Sequence, residues 1–488
     1  MNVIVITVDT LRYDYVGAHG NDWIRTPNMD RLAAESWTFH NSYTSSYPTI
    51  PHRTDAFTGK SGSPFHPWVP LAHDEIALPR VLAEAGYATQ LLHDTPHLVN
   101  GGHNFDWPFN AWTFVRGAEV DRPWITGTAD EPENWARDPL LDPCDQYGEV
   151  VGNSYFYTYT RANKNRRKNE DWNCAKLFLT ASQWLHDNAG RDNFFLWLDC
   201  FDPHEPWDVP PEYMLMYDKT PGYDGRIDPR MIFFRHVREL SDDARNRIAA
   251  SYAAKVTWVD RWLGEFLDTL ERCGLAKNTA VLLTADHGTN VGERGREAGG
   301  GGFGKGYPVR EMEAHTPFIV RLPDGDAGRS DILVQPMDVF ATVMGIVGEA
   351  VPDGLDSVDV LAQARSGKPG TRQVAVAGNG VMNWGRKEGI LFTVLDGRWC
   401  LEYAAKPESC ALTPMGSLED VAPDNQDVVD RLRKAGVEEL ERRGTDPAII
   451  AWLRSDGEGE YPTDCKFWDR WPAPAGYGPY FTRAYGKD

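Results

Sequence analysis

Apolar residues in this chain fall into two alternating patterns. Short unbroken runs at residues 3–8, 89–92, 193–199 and 280–285 read as buried strands, because a strand covered on both faces has no polar alternation. Between them, residues 27–35, 78–85, 174–187 and 241–272 repeat their apolar positions at helical spacing. Thr26 is the expected cap of the first helix, with Pro27 in its first turn, and Ser241-Asp242-Asp243 is an acidic start for the last. Alternating strands and helices predict an α/β fold with a doubly wound, mainly parallel sheet flanked by helices. Residues 100–170, rich in Trp, Asn, Pro and Asp, read as an irregular insertion on the substrate side. Gly299–Gly302 reads as a flexible loop, since no Lys-Ser/Thr follows at phosphate-loop spacing.

A Gly/Ser/Pro/Lys-rich stretch at 364–371 reads as a linker. After it, residues 389–396 and 398–403 suggest a hairpin about Asp396-Gly397, followed by a helix at 427–443. The 488 residues therefore divide into a catalytic domain, 1–368, and a smaller C-terminal sheet-plus-helix domain, 369–488. Hydrophobic content of 41% is ample for both cores.

A net charge of −21 argues against nucleic acid and anionic membranes as partners. It also means that an anionic substrate needs a local cation or metal. No basic leader and no 18-residue apolar span is present, and the seven cysteines lack Cys-x-x-Cys spacing. Reduced thiols and a cytoplasmic location are the expectation.

The strand runs end in Asp9, in Asp199 through His204, and in Asp286-His287. Ligands in such sheets gather beyond the carboxyl ends of the strands, so these residues are expected in one site. Two carboxylates and an imidazole there suit a single divalent ion. A lone strand-end Asp more often caps a turn; the recurrence is what favours a metal.

Residues Thr49-Ile50-Pro51-His52-Arg53 and Thr58-Gly59-Lys60 carry the strongest motif. They resemble the signature of the sulfatase family in the alkaline phosphatase superfamily, Cys/Ser-x-Pro-x-Arg followed by Thr-Gly-Lys/Arg. Asp9 in Val-Asp-Thr-Leu-Arg, Asp286-His287-Gly288, His204 and Lys305 resemble further family positions. The resemblance implies an alkaline-phosphatase-like fold and a metal held by Asp9, Thr49, Asp286 and His287. It implies catalytic roles for Thr49 (nucleophile), Arg53 (holding the alkoxide or an ester oxygen), and His204 or Lys305 (leaving-group acid). His97 and His315 are candidate substrate contacts; for His315, which precedes a strand, a structural role is the alternative. The imidazole ligand favours manganese or zinc, with calcium or magnesium allowed.

The chain departs from that pattern in three places. Family members oxidise Cys or Ser to formylglycine; Thr49 would give a poorly hydrating ketone, so a plain alkoxide is expected. The second opening Asp is Thr10, and the usual Gly-Lys-x-His reads His93-Asp94-Thr95-Pro96-His97. The stretches 114–121 and 202–207 are similar to the phosphonate monoester hydrolase branch. The expected function is a metal-dependent hydrolase of phosphate mono- or diesters or phosphonate esters. The alternatives are a sulfatase working without formylglycine and an inactive metal- or sugar-binding relative, for which Trp107, Trp112, Trp124 and Trp135 would suit a sugar. The partner is a small anionic ester; a homo-oligomer stays open.

Overall fold

The computed structural model describes all residues except 63, 101, 120, 122, 124–138, 141–154, 229–239, 294–302, 307, 379–391 and 463–488. The glycine run at 299–302, Trp124, Trp135 and the start of the strand expected from 389 lie outside the described residues.

Eight strands form the main sheet: β1 (Asn2–Val8), β2 (Ser36–Ser42), β3 (Ala88–His93), β4 (Ala111–Phe114), β5 (Phe194–Cys200), β6 (Thr279–Thr284), β7 (Phe318–Arg321) and β8 (Gly328–Val334). Their order is β4-β3-β5-β1-β6-β7-β2-β8. The pairs β4–β3, β3–β5, β5–β1, β1–β6 and β2–β8 are parallel, whereas β7 runs antiparallel to both β6 and β2. Every residue of β1, β5 and β6 is buried. Successive side chains leave opposite faces of a strand, and the core divides accordingly. Ile4, Ile6 and Val8 pack with the helices Asn173–Asp187 and Asp242–Arg272. Val3 and Val5 pack with the helices Thr49–Thr58 and Asp338–Val347.

The insertion expected to be irregular supplies strand β4 at the sheet edge. Three of its four residues are exposed, so it lacks the apolar pattern that reveals a strand. Thr26 does not cap the helix Pro27–Ala34 through its hydroxyl; Thr26 Oγ1 bonds Gly17 N and Asp30 instead. Ser241 does cap its helix, accepting from Ala244 N at 3.2 Å.

A second, antiparallel sheet has the order β12-β11-β10-β9, from β9 (Ala375–Gly378), β10 (Phe392–Leu395), β11 (Trp399–Tyr403) and β12 (Ala411–Pro414). The helix Gln426–Arg442 covers it. Its edge reaches the segment before Thr49: Tyr47 N donates to the Gly378 carbonyl and Gly378 N to the Ser45 carbonyl, at 2.9 and 3.0 Å. Arg443, its side chain fully buried, donates to Ser45 Oγ at 2.9 Å, to Glu439 at 2.9 Å and to Gln335.

Arg443→Met is expected to cost about 2–3 kcal/mol, since it strands the acceptors Ser45 and Gln335 in a dry junction. The urea midpoint of the chain should fall, and an unchanged midpoint would show that the junction carries no stability.

Candidate active site

Strands β1, β5 and β6 lie side by side, with Thr7 opposite both Asp199 and Thr284. Asp9, Asp199 and Asp286 therefore emerge together, each with no solvent exposure. Carboxylates taken from water cost several kcal/mol apiece and repel one another. Arg53, on the second turn of the helix Thr49–Thr58, meets all three. Its Nε and Nη2 donate to Asp199 at 2.9 and 2.8 Å, and Nη1 donates to Asp286 Oδ2 at 2.5 Å. Asp9 Oδ2 lies 3.0 Å from Nη2. Nη1 also donates to the Thr49 carbonyl at 3.2 Å. The Arg53 donors thus face the three strand-end carboxylates and the Thr49 carbonyl, where the sequence expectation had them holding the alkoxide or an ester oxygen.

That helix is buried at every residue and ends at Gly59, whose φ of 66° closes the last turn. A Cβ at Gly59 would come within 3.0 Å of Leu355 and 3.1 Å of Phe340, so the glycine of the motif serves packing as well as turn geometry. Thr49 is the first helical residue, where the helix dipole favours negative charge.

Next to it, ligand atoms of Asp9, Asp286 and His287 lie within 4.8 Å of one another, the one such His/Cys/Asp/Glu group among the described residues. His287 Nδ1 lies 2.7 Å from the Gly288 carbonyl, which can only accept, so Nδ1 carries the proton. Nε2 is left as a bare lone pair, buried and without a hydrogen bond, as are both Asp9 oxygens and Thr10 Oγ1. Burial, then the neighbouring Asp286, pushes the Asp9 carboxyl well above its ordinary range. Three carboxylates against one guanidinium leave two net negative charges when all are ionised. Orphaned donor atoms and that deficit both fit a divalent cation. Thr10 adopts φ 57°, costly for a β-branched residue at about 1–3 kcal/mol. Its N–H donates to Asp286 Oδ1 at 2.9 Å and its carbonyl accepts from Tyr252 at 2.7 Å, which holds the turn.

On the other side of Thr49, Lys305 Nζ lies 3.4 Å from Thr49 Oγ1 and 2.9 Å from His204 Nε2. A two-way bridge between Asn290 and Gly304 brings the lysine back beside the Asp286 turn. His204 Nδ1 donates to the Glu205 carbonyl at 2.7 Å, so Nε2 accepts from the ammonium. Burial, then Lys305, holds the imidazole well below its usual pKa, and it is neutral. Phe201 stacks on it at 4.2 Å.

His97 and His315 are engaged elsewhere. His97 Nε2 pairs with Glu119 at 2.6 Å. His315 stacks on Tyr13 at 3.8 Å and its Nε2 bonds the His40 carbonyl at 2.7 Å. Asp94, at the family lysine position, is fully buried and accepts from Phe201 N at 2.7 Å, a structural role. Residues that motif reasoning gave no role include Asp199, legible only as a third strand-end carboxylate, and Glu205. Burial pushes the Glu205 carboxyl up to about 7, against the pull of Lys305.

A family profile described as Sulfatase matches residues 1–349. The chain is 25% identical over 393 residues to the arylsulfatase of Clostridium perfringens, covering 74% of this chain and 77% of that protein. It is 24% identical over 409 residues to human iduronate 2-sulfatase, covering 72% and 70%. The crystal structure of a phosphonate monoester hydrolase of Agrobacterium radiobacter superposes with a TM-score of 0.67 at 19% identity, covering 91% of this chain and 95% of that one.

Replacing the bare imidazole should separate borderline from hard ions. His287→Ala is expected to weaken manganese and zinc binding at least about tenfold, and calcium binding less, in calorimetric titrations. Equal losses for all ions would show that His287 is not a ligand.

Proposed function

Because the chain belongs to the sulfatase family, we propose that it is a metal-dependent ester hydrolase in which the Thr49 hydroxyl is the nucleophile. Phosphate mono- and diesters or phosphonate esters are its preferred substrates. The observation that carries this reading is the position of Thr49 Oγ1. It opens a buried helix and lies 3.4 Å from Lys305 Nζ, and Arg53 Nη1 ties its backbone to the metal-site residue Asp286 by donating to both the Thr49 carbonyl and Asp286 Oδ2.

Those three residues and Thr49 Oγ1 would hold the ion, with manganese or zinc favoured by the imidazole. When bound, the ion supplies positive charge that lowers the hydroxyl pKa and polarises the ester. Every other step falls to side chains. Thr49 first releases its hydroxyl proton to solvent; the resulting alkoxide attacks in line and forms a threonyl ester, while the Lys305 ammonium gives its proton to the departing alkoxide. Of the two acids expected, Lys305 takes the role in this reading, because His204 Nε2 accepts from its ammonium and holds the lysine in place. Water then cleaves the threonyl ester, giving one proton to Lys305 Nζ and its hydroxide to phosphorus, which leaves the Thr49 alkoxide and the Lys305 ammonium ready for the next turnover. General acid transfer of this kind contributes about 10²–10⁴-fold.

Phosphorus leads over sulfur on chemical grounds. A formylglycine hemiacetal sulfate can collapse by elimination, a route that a threonyl sulfate lacks. The sulfatase names of the sequence relatives keep a sulfuric ester hydrolase as the second reading.

Matched nitrophenyl sulfate, phosphate monoester, phosphate diester and phenylphosphonate, each assayed with manganese, zinc, calcium or magnesium, decide between them. Diester or phosphonate turnover is expected, with Thr49→Ala losing at least about 10³-fold and a phosphoryl group trapped on Thr49 detectable by mass spectrometry. Sulfate-only turnover would establish the second reading. Absence of both turnover and metal binding would leave an inert scaffold.

A further inference from the structure

The loop that carries His204 is clamped at both ends by one buried ammonium. Lys255, 1% exposed on the long helix Asp242–Arg272, donates to the Pro206 carbonyl at 2.6 Å and to Asp208 Oδ1 at 2.9 Å. Its third contact is Asp202 Oδ1 at 3.0 Å. An ammonium has three donors, and all three are used on residues 202–208. Asp202 precedes His204 by two positions; Pro206 and Asp208 follow it by two and four. Asp208 is secured independently, by Arg166 Nη1 at 2.6 Å and the Tyr159 hydroxyl at 2.9 Å. Within the loop, Trp207 Nε1 donates to the Pro203 carbonyl at 3.0 Å. None of these groups touches Thr49 or the metal-site residues, yet each is nine-tenths buried or more.

Burying a lysine this deeply is expensive without exact pairing, and packing alone would be served by an apolar side chain. We infer that Lys255 is a positioning residue for the leaving-group acid. By fixing both flanks of the Asp202–Asp208 loop it sets where His204 Nε2 stands, and through the 2.9 Å bond it sets where Lys305 Nζ waits. Proton transfer is steep in distance, so a loosened loop should harm the protonation of poor leaving groups more than that of good ones. This inference rests on the ester-hydrolase reading above.

The experiment compares phenyl and nitrophenyl esters of the same phosphoryl group, the nitrophenolate needing little protonation. Lys255→Met should widen the nitrophenyl-to-phenyl kcat ratio about 10–100-fold, and Lys255→Arg should restore part of it. Lys305→Ala should widen the ratio similarly, and the Lys255→Met/Lys305→Ala double variant no further, because both act through one proton. An equal loss on both esters, or a further widening in the double variant, would overturn the inference. Should Lys255→Met fail to fold, Asp202→Asn/Lys255→Met keeps the charge balance around Asp208 and Arg166 and gives the same readout. A wild-type chain that cleaves neither ester, or a Thr49→Ala variant that cleaves both, would overturn the reading of the site and this inference with it. Turnover dependent on Thr49 with an unchanged ratio would remove the inference alone.

Discussion

Asp9, Asp199 and Asp286 close the ends of three adjacent parallel strands, and Arg53 sits against all of them without solvent. Leaving any of the three unpaired in that interior would cost about 3–5 kcal/mol, comparable with the net stability of a domain. The guanidinium offsets this through a planar fork that a lysine could not reproduce. It also ties the Thr49–Thr58 helix to the strand ends, and Thr49 stands one turn before Arg53 on the same helix face. Thr49 is therefore placed by the electrostatic repair of the sheet. The two negative charges that Arg53 does not cancel are what a divalent ion would balance, so the fold's electrostatic need and the chemistry's need coincide.

Around Thr49 the polar groups divide by charge. Asp9 and His287 Nε2 offer lone pairs that no hydrogen bond uses, whereas Lys305 offers protons. A hydroxyl between them can lose its proton on one side while a leaving oxygen gains one on the other. Such separation of acid and anion is the usual way in which two groups in one cleft keep opposite roles. The neutral His204 marks the boundary: next to an ammonium and buried, its ring is most stable as an acceptor.

Support for the site extends into the second sheet. The segment leading to Thr49 pairs with Gly378, and Arg443 reaches Ser45 from the end of the covering helix. Asp55, on the Thr49 helix, accepts from Ser46 N and Ser46 Oγ, both at 2.8 Å, which fixes the same approach from within the first layer. The segment leading to Thr49 thus stands where two sheets meet, held by backbone pairing on one side and buried polar bonds on the other.

Sequence alone determined the strands β1, β5 and β6, because fully buried strands are unbroken apolar runs, and with them the shared location of Asp9, Asp199 and Asp286. It also located the long helix Asp242–Arg272 and the hairpin about Asp396-Gly397, each marked by local chemistry. It did not disclose β4, whose exposed edge carries no pattern, or the antiparallel entry of β7, since strand direction depends on what the neighbouring strands leave free. Roles set by long-range partners were out of reach for the same reason. Only the fold shows Arg53 among Asp9, Asp199 and Asp286, His97 beside Glu119 and His315 against the His40 carbonyl. Lys255 is a helix lysine in sequence; only the tertiary fold, by burying it against Asp202 and Asp208, gave its charge something to hold.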